Sequence, residues 1–389
     1  MDHKKSRSSK GNGVNCADFT GHWYSTFGLL KLEHRDDEVI GTYHLWQFEC
    51  EIQGHVTGNR LNFRYREPNV CGEGWFDLIR TCRFIGQWRP DGSNRWFNWV
   101  GERGFDGIWN SSFGLLKLVV QDNGSVNGFY QVGGQSVIEG NVNDSEIQFN
   151  YTEPKACGEG MFSLDEDATY FSGTWREEGR EQVMPWEGER IQPTPGLVRL
   201  VVLESYWQQH LDEREFSFGA MLEEFFARLP YVVVNRRFFS DADSLLHWCQ
   251  QLMYMPEPIY LVIATHAKEE GLCVLGNILD HGILAQGLNY ADTVQLVHFS
   301  SCLMMDPQIH DGPATRLKAL GRFPISGYST SVNWANSAII EFMYLNLMLE
   351  YRLIPSEAAK ELLRLMPFAG NTPAPESICD AAGFQIWEL

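Results

Sequence analysis

The chain has 389 residues, 21% of them charged and 44% hydrophobic, and a formal net charge of −19. That length and balance predict two or three folded domains rather than a disordered chain. So acidic a chain excludes a nucleic-acid partner, which needs a basic surface, while basic peptides remain compatible. No apolar run reaches the roughly 18 residues of a membrane span, so no membrane partner is expected.

Residues 1–18 are basic and polar, with no apolar core behind the charges, and predict a disordered tail rather than a secretory signal. The nine cysteines are dispersed and form no CxxC pair. They indicate neither a disulfide framework nor a zinc site. No metal or cofactor is expected, and a reducing cytoplasm is the expected compartment.

The next 170 or so positions contain a duplication. Gly21-His-Trp-Tyr-Ser-Thr-Phe-Gly-Leu-Leu-Lys-Leu recurs as Gly107-Ile-Trp-Asn-Ser-Ser-Phe-Gly-Leu-Leu-Lys-Leu, an offset of 86 (107 − 21). Tyr65-Arg-Glu-Pro recurs at Tyr151, and Cys71-Gly-Glu-Gly at Cys157, at the same offset (157 − 71 = 86). Trp99-Val-Gly-Glu-Arg matches Trp186-Glu-Gly-Glu-Arg one position later. The repeats are placed at 19–104 and 105–191. Short alternating runs of aromatic and β-branched residues, broken by Gly, Asn, Asp or Pro, predict only strands. In the first copy eight strands are expected, opening near His22, Leu29, Glu38, Glu51, Arg60, Gly74, Arg83 and Trp96. Eight antiparallel strands fit an up-and-down barrel, which closes its own edges.

The Gly-x-Trp opening, the apolar strand and Gly41-Thr-Tyr43 resemble the start of avidin-like barrels. No ligand contact of that family maps onto a residue here. Such barrels hold a small ligand in the mouth. Trp23, Trp88, Trp99, Trp109, Trp175 and Trp186 either line such a pocket or form the core. Cys71 and Cys157 lie in Gly-Glu-Gly segments that read as tight turns. The repeats are therefore expected to bind a regulatory partner or a small ligand, and not to carry catalysis.

Gln192-Pro-Thr-Pro-Gly-Leu (192–197) is a short stiff linker. Beyond it, strands are expected at 197–203, 231–235, 258–266, 294–302 and 324–329, with helices at 217–229, 241–252, 281–288, 314–320 and 335–351. A hairpin falls at 272–279. This alternation predicts an α/β domain with a mostly parallel sheet over 198–370, followed by a C-terminal extension, 371–389. Two of the apolar runs end in reactive side chains: Leu-Val-Ile-Ala-Thr-His266 and Leu-Val-His-Phe-Ser-Ser-Cys302. The two ends are 36 positions apart (302 − 266), room for one crossover to a neighbouring parallel strand. In open α/β sheets chemistry collects at the carboxyl ends of strands, so a cysteine–histidine dyad is expected there.

The order strand–Thr-His, hairpin, helix, strand–Ser-Ser-Cys resembles the caspase-like (clan CD) cysteine peptidases, nearest to the CHAT type. Gly271-Leu-Cys-Val-Leu-Gly276 resembles the hairpin those domains place between the two motifs, and Ile325-Ser-Gly-Tyr-Ser-Thr-Ser-Val-Asn-Trp-Ala335 resembles the segment beyond the cysteine. The family's glycine after the histidine is Ala267 here. The resemblance implies an endopeptidase of protein or peptide substrates. Cys302 would be the nucleophile, His266 the proton carrier, and the backbone N–H groups of Ala267 and Cys302 the oxyanion donors. Asp306, Ser329, Asn333 and Trp334 are candidates for substrate binding, with Asp306 placed to meet a basic side chain. Each of the four also reads as a loop or cap residue, and Cys302 has the alternative reading of an inert core thiol. The alternative function is a catalytically silent scaffold. His298 is too far along its strand to share a hydrogen bond with Cys302 and reads as structural. His281 and His310 are second choices for the base, and Cys249 and Cys273 read as core.

Overall fold

The computed structural model describes residues 17–45, 48–208, 210, 212–213, 216–372 and 381–388. All but two residues of the expected N-terminal tail, and 373–380 and 389 of the C-terminal extension, lie outside the described residues.

Strands β1–β8 span Gly21–Ser25, Gly28–Arg35, Glu38–Leu45, Phe48–Thr57, Arg60–Arg66, Cys71–Arg80, Arg83–Pro90 and Phe97–Glu102. They form one closed antiparallel barrel in which each strand pairs with the next and β8 returns to β1. Strands β9–β16 span Gly107–Ser111, Gly114–Val120, Ser125–Gln131, Gln135–Asn143, Glu146–Thr152, Cys157–Leu164, Tyr170–Glu177 and Met184–Arg190, and close a second barrel in the same way. Strict alternation produces this. In β5 every second residue, Leu61, Phe63 and Tyr65, is buried, and β13 repeats the pattern with Ile147, Phe149 and Tyr151. Trp23, Trp99, Trp109 and Trp186 are fully buried core residues, whereas Trp88 and Trp175 are partly buried against the two cores.

The Cys-Gly-Glu-Gly segments correct one expectation. They are not turns but the first residues of β6 and β14. Their glycines make room for rings inside the barrel: a Cβ on Gly72 would sit 2.4 Å from Tyr65 Cε1, and one on Gly74 2.4 Å from Phe63 Cζ. Gly158 and Gly160 stand in the same relation to Tyr151 and Phe149. Glycine is demanded here by side-chain volume, not by chain reversal.

The third unit is a six-stranded sheet in the order β18-β17-β19-β23-β24-β25. Its strands are β17 (Val198–Glu204), β18 (Val232–Phe238), β19 (Ile259–Ala264), β23 (Val294–Ser300), β24 (Ile325–Tyr328) and β25 (Phe384–Trp387). The first five run parallel, and β25, beyond residue 370, is antiparallel to β24. A separate small sheet holds β20 (His266–Lys268), β21 (Gly271–Val274) and β22 (Asn277–Ile278). Helices α1 (Phe218–Phe226), α5 (Trp334–Leu349) and α6 (Pro355–Leu365) pack on one face of the main sheet. Helices α2 (Ala242–Gln251), α3 (Ile283–Gly287) and α4 (Pro313–Lys318) cover the other. Both faces are thus buried, which is why β17, β19 and β23 read as unbroken apolar runs. Among the described residues no helix is long and apolar enough to cross a membrane.

The barrels dock at the amino-terminal rim of this sheet. Asn98 of β8 donates from Nδ2 to Oε1 of Gln295 in β23 at 2.8 Å. A buried ionic cluster centred on Asp292 joins all three units. Its Oδ2 faces Arg80 Nη2 at 3.3 Å, Arg83 Nη1 at 3.7 Å and Lys117 Nζ at 3.8 Å, and its Oδ1 pairs with Arg322. Glu102 shares Arg83 and Lys117, and Asp106 shares Arg80.

Candidate active site

The strand order reverses between β17 and β19, whose outer neighbours lead away in opposite directions. A crevice forms at the carboxyl ends of strands at such a point. Here it lies between Glu204-Ser205 and Ala264-Thr265. Ser205 and Thr265 are buried and share a hydroxyl–hydroxyl bond, and Thr265 Oγ1 also donates to the Cys273 carbonyl at 2.9 Å. This anchors the chain where it leaves the main sheet and enters β20.

His266 is the first residue of β20 and is exposed. Its Nε2 lies 3.2 Å from the Trp207 carbonyl, and the two rings meet edge-to-face at 5.1 Å. A carbonyl only accepts, so Nε2 carries the proton and Nδ1 is left with its lone pair. Trp207 is held in turn by Glu204, whose buried carboxylate accepts from Trp207 Nε1 at 2.6 Å. The same carboxylate accepts from Ser217 Oγ at 2.7 Å and from the Phe218 and Gly219 N–H groups at the start of α1. An acid at a helix N-terminus satisfies otherwise unpaired donors and meets the positive end of the helix dipole.

Cys302 lies on the neighbouring strand's exit. β19 and β23 are parallel, with Ala264 opposite Ser300, so each functional side chain lies two residues past a matched pair at the same rim. The thiol is half-buried, and Sγ accepts from the Val332 N–H at 3.5 Å. The next residue, Leu303, has φ of 63°, a left-handed conformation uncommon for leucine. Its cost, of order 1–2 kcal/mol, is carried by a sharp turn that brings the cysteine round at the strand end. Leu303 N–H donates to Thr330 and Met305 N–H to Tyr328, tying the turn to the segment after β24. No hydrogen bond joins His266 to Cys302 among the described residues.

Ala267 is in β20 opposite Leu272. Asp306 accepts from the Gln308 N–H at 2.9 Å within its own turn. Ser329 donates to Gly383 O at 3.1 Å, tying the segment after β24 to the one before β25. Asn333 caps α5 by accepting from the Asn336 N–H. Trp334 is 45% exposed and stands edge-to-face on Phe216 at 4.4 Å. Since Val332 touches the thiol and Gln208, beside Trp207, donates to the Phe216 carbonyl, Trp207, Phe216 and Trp334 make an aromatic edge to the crevice.

His298 is fully buried, with Nδ1 2.8 Å from Ser326 Oγ and Nε2 3.6 Å from Glu341 Oε1. Neither His281, bonded to the Glu270 carbonyl, nor exposed His310 contacts the thiol. Cys249 and Cys273 are buried, and burial pushes the Cys249 thiol up to about 12. Sequence reasoning missed Glu204, Trp207 and Val332. Glu204 carries a signal, an acid closing the apolar run Leu-Val-Val-Leu. Val332 carries none, because it acts through a backbone atom, and nothing in the sequence pairs the carbonyl and ring of Trp207 with His266.

No protein-family model matches the chain, and no curated protein matches it.

Proposed function

We propose that the chain is a caspase-like cysteine endopeptidase of protein substrates, with the barrels as its regulatory, ligand-sensing or partner-recruiting module. The observation that carries this reading is the shared rim: His266 and Cys302 each leave adjacent parallel strands two residues beyond the pair Ala264 and Ser300. Nδ1 of His266 takes the proton of the Cys302 thiol, and the thiolate attacks the scissile carbonyl carbon to form a tetrahedral oxyanion held by backbone N–H groups of Ala267 and Cys302. The intermediate collapses to a thioester as the amine leaves, taking from Nδ1 of His266 the proton that came from the thiol. Water, deprotonated by the same imidazole, then hydrolyses the thioester, and the expelled thiolate takes that proton back from the imidazolium to restore the thiol. A histidine bonded to a carbonyl instead of to sulfur suits this role, because it meets the leaving nitrogen across the substrate.

The seven cysteines among the described residues are all free, which supports a reducing, cytoplasmic setting. The test uses the full chain and two probes: iodoacetamide, and a peptidyl acyloxymethyl ketone with arginine at the cleavage position. The ketone should label one cysteine stoichiometrically, Cys302→Ala should abolish this, and His266→Ala should slow the ketone far more than iodoacetamide. Equal slowing of both probes, or no ketone labelling while iodoacetamide reacts at Cys302, would leave a silent scaffold instead.

A further inference from the structure

A cavity of about 260 Å³ lies between one end of the first barrel and the amino-terminal rim of the α/β sheet, away from the His266–Cys302 crevice. Its barrel wall is aromatic. Trp88 and Phe97 stack at 4.7 Å, and Phe27 stands edge-to-face on Trp88 at 5.4 Å. Across the cavity are Tyr260 of β19, Met348 of α5 and Arg352 just beyond α5.

One polar group in this lining lacks the partner that burial demands, and a second has donors to spare. The Trp88 indole N–H is buried without a hydrogen-bond partner. Arg352 is half-buried, adopts φ of 57°, lies 4.1 Å over the Tyr231 ring and donates to the Gly196 carbonyl at 3.2 Å. It pairs with no carboxylate among the described residues, although the chain carries 50 acidic residues against 31 basic ones. A buried donor left unmatched is destabilising, and an acceptor supplied from outside relieves it. The matching Trp175 N–H of the second barrel is also buried without a partner, but the surroundings of the two rings differ. Phe97 faces Trp88 across β7 and β8, whereas the matching partner of Trp175 is Met184, which is 38% exposed. Trp175 borders an open groove on its barrel instead of a roofed cavity.

We propose that this cavity binds a small planar apolar molecule carrying one carboxylate. The rings lie against the Trp88–Phe97 stack, and the carboxylate takes the free donors of Arg352 and the Trp88 N–H. Stacked aromatic walls select flatness, and a guanidinium lining the same cavity as an indole donor selects a planar anion over a neutral amide. A volume just under the usual range for ligand pockets fits one or two rings. The proposal deepens the ligand-sensing role given to the barrels but does not depend on peptidase chemistry, and its test needs no substrate.

The test is calorimetric titration of the full chain with 2-naphthoate and with 2-naphthamide. Naphthoate should bind saturably with one site, and the amide about tenfold more weakly, the difference that one charge-assisted contact provides. Arg352→Met should erase the preference for the anion, and Trp88→Phe should weaken both ligands. A third measurement needs neither of those variants: with methyl-labelled methionine, naphthoate should shift the Met348 signal, assigned through Met348→Leu. Absence of saturable naphthoate binding at millimolar concentration overturns the proposal, as does binding that leaves Met348 unmoved or is unchanged by Arg352→Met.

Discussion

Replacing Asp292 by asparagine keeps the shape of the side chain and removes the charge at the centre of the cluster that joins all three units. Each cation against Oδ2 stands 3.3 to 3.8 Å away. At an effective dielectric constant of about 20 each pair is worth roughly 4–5 kcal/mol before desolvation is counted. Those attractions do not sum to a stability, because taking five ions out of water offsets most of them. Breaking a buried pair costs about 3–5 kcal/mol in practice. The lower end applies here, because Arg80 retains Asp106 and Arg83 and Lys117 retain Glu102. We expect Asp292→Asn to lose about 3 kcal/mol in urea unfolding. High salt should reproduce little of that loss in the parent chain, since buried charges are weakly screened. Burial by itself would raise the Asp292 pKa, but Arg83, Lys117, Arg322 and Arg80 outweigh it and hold the group well below the usual carboxylate range. A depressed pKa stabilises the fold above the unfolded value near 3.8. That contribution fades as the pH falls toward the folded value. The gap between parent and variant should therefore be constant from pH 7 to about 5 and shrink by about 1.4 kcal/mol per unit below about pH 4. A loss under about 1 kcal/mol at pH 7, or a gap unchanged at pH 3, would refute the reasoning.

Glu204→Gln should cost about 1.5–3 kcal/mol in urea unfolding, the value of hydrogen bonds to a charged acceptor. If peptide cleavage is detected, it should also lower kcat with KM little changed, and Glu204→Asp should restore part of it; equal kcat in all three would reduce Glu204 to a helix cap. Gly72→Ala should destabilise barrel one by about 1–3 kcal/mol, since its Cβ meets the Arg89 carbonyl oxygen at 2.2 Å as well as Tyr65. An unshifted unfolding midpoint would mean that the strand gives way more easily than its contacts imply. Leu303→Gly should stabilise the turn by relieving its left-handed backbone, and a loss of stability would show that Leu303 packing outweighs the backbone term.

The barrels were legible because a single physical rule, alternation over a sealed core, is written into each strand and then written again 86 positions on (157 − 71). The reading failed where glycine served volume: Cys71-Gly-Glu-Gly carries the composition of a turn, and only the rings of Tyr65 and Phe63 explain it. In the α/β domain the apolar runs fixed β17, β19 and β23, but α6 and β25 were not foreseen. β25 is four residues long, and its partner β24 is 56 positions away (384 − 328). The runs expected to reach His266 and Cys302 stop as strands at Ala264 and Ser300, and His266 belongs to the small sheet and not to the run that precedes it. The carbonyl that orients His266 and the amide that meets Cys302 leave no trace in sequence, because any residue supplies them. The Asp292 cluster is hidden for a different reason: its members come from both barrels and the third unit, and each alone is an ordinary loop or strand charge.

Helix α5 is 16 residues long, a rod of about 24 Å. It begins one residue past Asn333, its cap, whose preceding residue supplies the amide against the Cys302 sulfur, and it finishes beside Phe97 and Trp88 at the other pole of the domain. One rod therefore borders both the sulfur and the cavity walled by Trp88 and Phe97, so any shift of its axis as a rigid body is felt at both places.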